Sequence, residues 1–296
     1  MRELNSILII YNPNAMKGKI DEFLPKIKQR LSLRFPVVDV VSTPNSDGAE
    51  GLAFKLAPKY DVVVSCGGDG TLHQVINGIM KSEAKCLLGI LPFGTCNDVA
   101  RTLGIPFEFD KAIDCLLRLN TTKFDLMFDG EEYISYALAT GYLTKTSYSA
   151  TNKAKKKFGR LAYVLKGLKY INKFDALPIT VTFDKERIHD KFIFMMLINS
   201  ETAGGFKINK DNIVDNGKVK LVMIKKRNWF TTFFAFVKLF LFGINSVKKN
   251  KNVIIRDVKK IEIENHANSP FTIDGEKAKF LKKHIEVQTR LEVIKK

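Results

Sequence analysis

The stretch DVVVSCGGDGTLHQVINGIM, residues 61–80, joins two different sequence patterns at a run of glycines. Residues 61–66 form a short, mostly apolar run with three β-branched valines, which is typical of a short buried strand. The apolar residues after the glycines recur at helical spacing on one face, and they are Leu72, Val75, Ile76, Ile79 and Met80. The GGDGT run at 67–71 is therefore predicted to form a strand-to-helix turn.

Such a turn is suited to phosphate binding, because backbone N–H groups and a helix N-terminus point at the same place. Asp69 lies inside the run. A carboxylate beside a phosphate repels it unless a metal ion or a proton lies between them. Asp69 therefore indicates metal-assisted phosphate chemistry.

The sequence on either side alternates strands with helices. Strands are predicted at 6–11, 37–41, 61–66 and 86–91, and helices at 20–33, 49–56, 72–81, 97–103 and 110–119. This alternation predicts an α/β fold with a parallel sheet covered on both faces. Ligands of such sheets bind beyond the carboxyl ends of the strands. We therefore expect the loops at 12–13, 67–71 and 92–98 to converge.

Short strands with turns between them replace this alternation after residue 124. They are predicted at 124–128, 133–140, 179–183, 192–199, 219–224, 253–255, 261–263, 271–273 and 284–287. This pattern favours an antiparallel sheet or sandwich. We predict an α/β nucleotide-binding domain at 1–126 and a β-rich domain at 127–288, with a tail near 289–296 that can return to the first domain.

The chain has 296 residues, with 48 Lys and Arg against 31 Asp and Glu, giving a net charge of +17. That charge predicts attraction to a polyanion and leaves nucleic acid, an anionic membrane and a polyphosphate open. The four cysteines form no CxxC pair, so we expect reduced thiols in a cytoplasmic protein. We expect neither a signal peptide nor a membrane-spanning helix.

Two segments interrupt the β-rich part with aromatic residues between basic flanks, at 151–173 and 225–251. A short helix of this composition suits the plane of a membrane interface. An ordinary helix packed on a sheet with solvated ends explains the pattern equally well. Both interpretations stay open at this point.

A second glycine loop, LPFGTCNDVAR at 91–101, follows the fourth predicted strand, and an Asp-Gly-Glu turn lies far downstream at 274–276. Neither a Walker A motif nor G-x-G-x-x-G occurs, which argues against a P-loop ATPase and a Rossmann dehydrogenase. Taken alone, the second loop is a helix-capping turn and Asp274-Gly275-Glu276 is a hairpin turn.

Together, these landmarks resemble the diacylglycerol kinase catalytic-domain family, which includes soluble bacterial lipid kinases and the sphingosine and ceramide kinases. The resemblance rests on Asn12-Pro13, GGDGT at 67–71, the P-x-G-T-x-N-D segment at 92–98 and the late Asp274-Gly275-Glu276. It implies a nucleotide-binding α/β domain, similar to that of phosphofructokinases and NAD kinases, followed by a β-rich sandwich domain. The active site would lie in the cleft between them.

The resemblance also implies site residues. ATP would be bound by Asn12, Pro13, Asn14, Gly18, Thr43, Gly67, Gly68, Asp69, Gly70, Thr71, Gly94, Thr95 and Asn97. Asp69 would act through Mg²⁺ near the phosphates, and Asp98 and Asp125 match carboxylates of the metal–water network. Asp274 and Glu276 match the motif that takes the proton of the acceptor hydroxyl.

Two places depart from the family pattern. The family often has Asn-Glu after GGDGT-Leu, where this chain has His73-Gln74, and loss of that Glu would weaken the metal network. Bacterial members resemble one another at a structural Mg²⁺ site in the β-rich domain. Its matching positions here are Ile213, Asp215, Asn216 and Lys218, with Asn216 in place of a charged ligand.

The sequence thus predicts a cytoplasmic, peripherally membrane-bound kinase that uses ATP and Mg²⁺ to phosphorylate a lipid hydroxyl, with diacylglycerol as the leading substrate. Phosphatidylglycerol, a sphingoid base or an undecaprenol-like alcohol would suit a similar pocket. A soluble-substrate kinase of the NAD kinase type and a silent nucleotide- or nucleic-acid-binding protein are the alternatives. Partners are expected to be a lipid and an anionic membrane but no nucleic acid, with a homodimer as an option.

Overall fold

The first part of the chain alternates strands and helices, as the sequence predicts. A computed structural model describes residues 4–43, 48–141 and 176–296. The strands are β1 (Ser6–Tyr11), β2 (Val37–Ser42), β3 (Val62–Gly67) and β4 (Leu87–Pro92). The helices are α1 (Ile20–Leu31), α2 (Gly48–Leu56), α3 (Asp69–Lys81), α4 (Asp98–Thr102) and α5 (Phe109–Arg118). The strands pair in parallel in the order β2-β1-β3-β4.

Helices cover both faces of this parallel sheet, because successive strand residues point to opposite sides. Leu8 and Ile10 of β1 pack with α2 and α3, whereas Ile7 and Ile9 pack with α1 and α5. Every residue of β3 is buried. The turn after β3 therefore begins at a fixed, central position in the sheet.

The second part is built mainly from antiparallel strands. They are β5 (Thr121–Phe128), β6 (Tyr133–Ile134), β7 (Ala137–Gly141), β8 (Leu177–Phe183), β9 (Glu186–Ile198), β10 (Thr202–Ala203), β11 (Phe206–Lys207), β12 (Val219–Lys225), β13 (Val253–Val258), β14 (Lys260–Asn265), β15 (Phe271–Ile273), β16 (Glu276–Ala278) and β17 (Lys282–Ile294). A buried apolar core lies between strands of this part. The predicted fold class, an α/β domain followed by a β-rich sandwich, is confirmed.

The last strand, β17, belongs to both parts of the molecule. Its first residues pair with β14, its later residues pair with β5, and Val293 lies beside Leu88 of β4 in parallel. The sequence predicted only residues 284–287 of this 13-residue strand. Because of β17, the parallel and antiparallel parts form one continuous sheet.

The strand predicted at 133–140 is in fact two strands, β6 and β7, separated at Ser135 and Tyr136. The N–H groups of both residues donate to the carboxylate of Asp274 rather than to a neighbouring strand. A second difference lies at α3, which begins at Asp69 instead of residue 72. Asp69 is therefore the first residue of a helix, and Asp274 binds the backbone that separates two strands.

Helix α6 (Trp229–Phe242) occupies the second aromatic segment. The side chain of Asn228 caps it by accepting a hydrogen bond from the N–H of Thr231. Phe236 and Phe240 pack on the sheet against Phe194, whereas Phe230, Phe234 and Phe242 on the other side are exposed. The first aromatic segment, 151–173, lies outside the described residues. Within the described ranges, no helix combines the length and apolarity needed to span a bilayer.

Candidate active site

The glycine turn places Asp69 at the start of a helix. Strand β3 ends at Gly67, Gly68 is extended, and Asp69 is the first residue of α3. A Cβ atom on Gly67 would lie only 2.7 Å from Oγ1 of Thr71, so a side chain there would displace the threonine. The turn therefore keeps its backbone open at the N-terminus of α3, where the helix dipole favours negative charge.

Three loops meet at this turn. The Asn12 amide lies 3.4 Å from Oγ1 of Thr71, and the N–H of Phe93 donates to the carbonyl of Gly67 at 2.9 Å. The N–H of Met16 donates to the carbonyl of Phe93 at 3.3 Å. The predicted convergence of the loops after β1, β3 and β4 is confirmed.

Two glycines allow the loops to touch. A Cβ on Gly94 would lie 2.3 Å from Cα of Gly68, a distance that no real structure accommodates without backbone movement. Asn97 holds the Gly94 loop closed, since its side-chain amide donates to the carbonyls of Pro92 and Gly94 and accepts from the Gly94 N–H. Asn97 itself has a φ of 52°, a left-handed conformation that asparagine tolerates.

The carboxylate of Asp69 binds the second loop directly. Its two oxygens accept hydrogen bonds from the N–H groups of Asn97 and Asp98, each at 2.7 Å. Burial, followed by the negative charge of Asp98, raises the pKa of Asp69 to about 6 against the lowering effect of these amides. Two backbone N–H groups thus hold the carboxylate of Asp69 in place, and a nearby cation would stabilise its ionised form.

Asp98 is fully buried and connects the two parts of the protein. One of its oxygens accepts from the Thr202 hydroxyl at 2.6 Å and from the Gly205 N–H at 2.9 Å. The other accepts from the Gly204 N–H at 2.7 Å. The structure therefore gives Asp98 a linking role between α4 and the β10–β11 hairpin, which the sequence did not predict.

Asp125 is fully buried in β5 and faces the loop predicted to hold a structural metal. Its carboxylate accepts from the Gly217 N–H at 2.7 Å and from the Thr289 hydroxyl. In that loop Asp215 and Asn216 are exposed, and Asn216 Oδ1 already accepts from the Lys218 N–H. Asp215 is therefore the one carboxylate among Ile213, Asp215, Asn216 and Lys218, and the Mg²⁺ site at these residues stays a prediction, with Asp215 as its charged ligand.

Asp274 is buried in the turn between β15 and β16, and its carboxylate accepts five hydrogen bonds. The donors are the N–H and hydroxyl of Ser135, the N–H groups of Tyr136 and Ala137, and Nδ1 of His73. Burial would raise the pKa of Asp274, but His73 and the amides outweigh burial and lower it. This environment stabilises the ionised carboxylate.

Glu276 lies two residues further along, as the first residue of β16, and is exposed. Its Oε1 approaches the glycine turn so closely that a Cβ on Gly70 would lie 3.4 Å away. The structure therefore brings the late Asp-Gly-Glu motif across the GGDGT turn, although the two are about 200 residues apart in sequence.

The sequence did not assign roles to His73 and Glu132. Nδ1 of His73 lies 2.9 Å from Asp274, and Nε2 lies 3.1 Å from Glu132. Burial opposes protonation, yet the hydrogen bonds to Asp274 and Glu132 raise the pKa of His73 to about 10. A signal existed: His73 and Asn77 are polar residues four positions apart within a largely apolar, buried helix.

Asn77 anchors the same region one turn further along α3. It accepts from the N–H of Tyr133 at 2.8 Å and donates to the Tyr133 carbonyl at 2.9 Å. Together, Asn77 and His73 attach α3 to the start of the β-rich part.

The other predicted residues surround the loops. Asn14 donates its N–H to Asn12 Oδ1, and Thr43 donates its N–H to the carbonyl of Tyr11 at the end of β1. Thr95 and Gly18 are exposed, and Pro13 is half-buried. Gln74 points away from the acids, since its side chain accepts from the N–H of Ala49 in α2.

Two family models match the chain. Residues 6–128 match the diacylglycerol kinase catalytic domain, and residues 136–294 match the YegS C-terminal NAD kinase beta sandwich-like domain. The matched ranges meet near the β5–β6 turn.

Known proteins are similar over nearly the whole length. A diacylglycerol kinase of Staphylococcus saprophyticus is 30% identical over 290 residues, covering 95% of this chain and 94% of the relative. A diacylglycerol kinase of Staphylococcus haemolyticus is also 30% identical, covering 95% and 87%. A crystal structure of a diacylglycerol kinase from Bacillus anthracis has the same fold, with a TM-score of 0.79 at 23% identity, covering 100% of this chain and 98% of that one. The chain therefore belongs to the diacylglycerol kinase catalytic-domain family and is a lipid kinase.

Proposed function

We propose that this lipid kinase transfers the γ-phosphate of ATP, with Mg²⁺, to the hydroxyl of diacylglycerol and so produces phosphatidate. The observation that supports this most directly is the position of Glu276 beside Gly70. An exposed carboxylate of the β-rich part thus lies close to the glycine turn of the α/β part, which we propose binds phosphate. A phosphoryl donor and an alcohol acceptor can meet between them.

Backbone N–H groups line the side of the site that would bind the phosphate donor. Loops at 12–18, 67–71 and 92–97 present N–H groups and small side chains around the start of α3, an arrangement that suits a triphosphate. We assign ATP to these loops and to Thr43, as the sequence predicts. Kinase-family membership supports ATP as the donor.

The acids at the turn suit Mg²⁺, which takes hard oxygen ligands. Asp69, with its raised pKa, and the neighbouring Asp98 are the candidates for holding it, directly or through water. When bound, Mg²⁺ would neutralise charge on the phosphates during transfer. The residues of the chain position the phosphates and hold the loops in register.

The test of this function is to identify the product. The protein is incubated with Mg²⁺, labelled ATP and a total lipid extract, and then with purified diacylglycerol in vesicles. We expect labelled phosphatidate and complete loss of labelling in EDTA. Labelled phosphatidylglycerol phosphate or a sphingoid phosphate would reassign the lipid, and phosphorylation of NAD without lipid labelling would contradict the proposal.

We further propose that the enzyme binds the cytoplasmic face of the membrane through α6. The exposed side of α6 carries Phe230, Phe234 and Phe242, which are 65%, 55% and 61% exposed. Basic residues flank the helix, with Arg227 before it and Lys248, Lys249 and Lys251 after it. Aromatic insertion together with attraction to anionic lipid would bring the cleft to its substrate.

Replacing Phe230 and Phe234 together by serine should reduce binding to anionic vesicles by roughly 10-fold or more, because two large apolar groups no longer enter the interface. Binding is measured by vesicle sedimentation at low and high salt, and salt should weaken the wild-type protein. Leu33→Ser, at an exposed leucine after α1, is the matched control and should bind normally. Equal binding of the double variant and the control would rule α6 out as the docking surface.

A further inference from the structure

We propose that His73 is a positioning residue for phosphoryl transfer: as an imidazolium it bridges Asp274 and Glu132, fixes Asp274 as an ionised anchor, and leaves Glu276 to accept the proton of the lipid hydroxyl. The inference rests on the proposed function and divides the acceptor motif into two roles.

The chemistry balances with Glu276 as the base. The hydroxyl oxygen forms a bond to the γ-phosphorus while the bond from that phosphorus to the β–γ bridging oxygen breaks. ADP leaves with the bonding electrons. The hydroxyl proton passes to Glu276 and then to solvent, and no oxidant or further reactant is needed.

Asp274 is poorly suited to accept that proton. It is buried, with 3% of its surface exposed, and five donors already surround its two oxygens. Hydrogen bonds to an ionised carboxylate favour the ionised form, so Asp274 holds its charge and resists protonation. Its geometry is that of an anchor for the 135–137 backbone and the 274–276 turn.

His73 reaches a carboxylate with each ring nitrogen, at 2.9 Å and 3.1 Å. A neutral imidazole donates from only one nitrogen, so only the protonated ring satisfies both acids. Asp69 lies one turn earlier on the same helix, and the side-chain nitrogen of Asn77 lies 3.5 Å from Nε2. On the 129–132 turn, Lys283 pairs with Asp129 and Glu131, which leaves Glu132 to His73.

The bridge joins the two parts of the site. His73 belongs to α3, directly after the glycine turn, whereas Glu132 and Asp274 belong to the β-rich part. Fixing Asp274 fixes the turn that carries Glu276 above Gly70. Glu276 forms no side-chain ion pair with the described residues, so its carboxylate is available to a substrate hydroxyl.

Rescue by a small carboxylate distinguishes the two acids. Glu276→Ala should lower kcat at least 100-fold, and formate should restore part of it because the position is exposed. Asp274→Ala should also lose activity but should not respond to formate. Rescue of Asp274→Ala without rescue of Glu276→Ala would overturn the assignment.

The charge on His73 is tested without activity. The chain has four histidines, so the ring ¹⁵N signals are few, and His73→Asn assigns the relevant one. We expect an imidazolium at pH 8 that titrates near pH 10, and a neutral ring at pH 8 would overturn the proposal. His73→Asn should lower kcat about 10-fold with a smaller change in KM for ATP, whereas His284→Asn, at an exposed histidine, should not.

If the wild-type protein failed to phosphorylate diacylglycerol, the proposed function would be wrong, yet the ¹⁵N measurement would still decide the state of His73. The two failures are therefore distinguishable.

Discussion

Replacement of Asp69 by asparagine is expected to lower kcat/KM for lipid phosphorylation by about 100- to 1,000-fold, the range seen when one fixed electrostatic group of an active site is removed. The carboxylate accepts N–H bonds from both Asn97 and Asp98. An amide can accept only with its oxygen, so its NH₂ group would face one of these donors. The loop at 92–98 would then no longer be held in its position beside the glycine turn. The site would also lose a negative charge suited to Mg²⁺.

Initial rates with diacylglycerol vesicles measure this effect, and the far-UV spectrum and melting temperature check that the variant is folded. Asp110→Asn is the matched control, because it removes a carboxylate from a surface pair with Lys26 and Arg30. We expect the control to retain full activity. A folded Asp69→Asn variant with near-normal kcat/KM would remove Asp69 from the phosphate-transfer machinery.

Replacement of Asp98 by alanine is expected to reduce the free energy of unfolding by about 3–5 kcal/mol, since buried donors lose their charged partner. The Thr202 hydroxyl and the N–H groups of Gly204 and Gly205 would each lose the hydrogen bond that they donate to Asp98. These groups attach the β10–β11 hairpin to α4. Their release would loosen the contact between the α/β part and the β-rich part.

Urea denaturation followed by tryptophan fluorescence measures this loss. Thr202→Val gives a graded comparison, because it removes one donor and keeps the acid, and it should cost about 1–2 kcal/mol. A loss below 1 kcal/mol for Asp98→Ala would mean that the hairpin is held by other contacts. A larger loss for Thr202→Val than for Asp98→Ala would contradict the linking role.

The α/β part followed closely from the sequence because its signals are local. The β-branched run before Gly67 and the helical spacing after Thr71 each define an element within one segment. The three loops could be predicted to meet, because parallel strands bring their carboxyl ends to one edge. No distant contact was needed for that inference.

The parts that the sequence did not predict depend on partners far away in the chain. The acceptors of His73 lie 59 and 201 residues away, and the donors to Asp98 lie 104 to 107 residues away. Residues 288–294 of β17 have a mixed polar pattern, and they form a strand because β5 lies beside them. Local propensity carries no information about such pairings.

The pairing of Val293 with Leu88 also has a consequence for folding during synthesis. The outer edge of β4 has no β17 beside it until about 200 further residues have been synthesised. Pairings between residues so distant in sequence close large loops and form slowly. The glycine turn can thus form early, whereas the sheet that supports it is completed only when β17 has been made. Until β17 has left the ribosome, the nascent chain should therefore rely on chaperones to shield the exposed edge of β4.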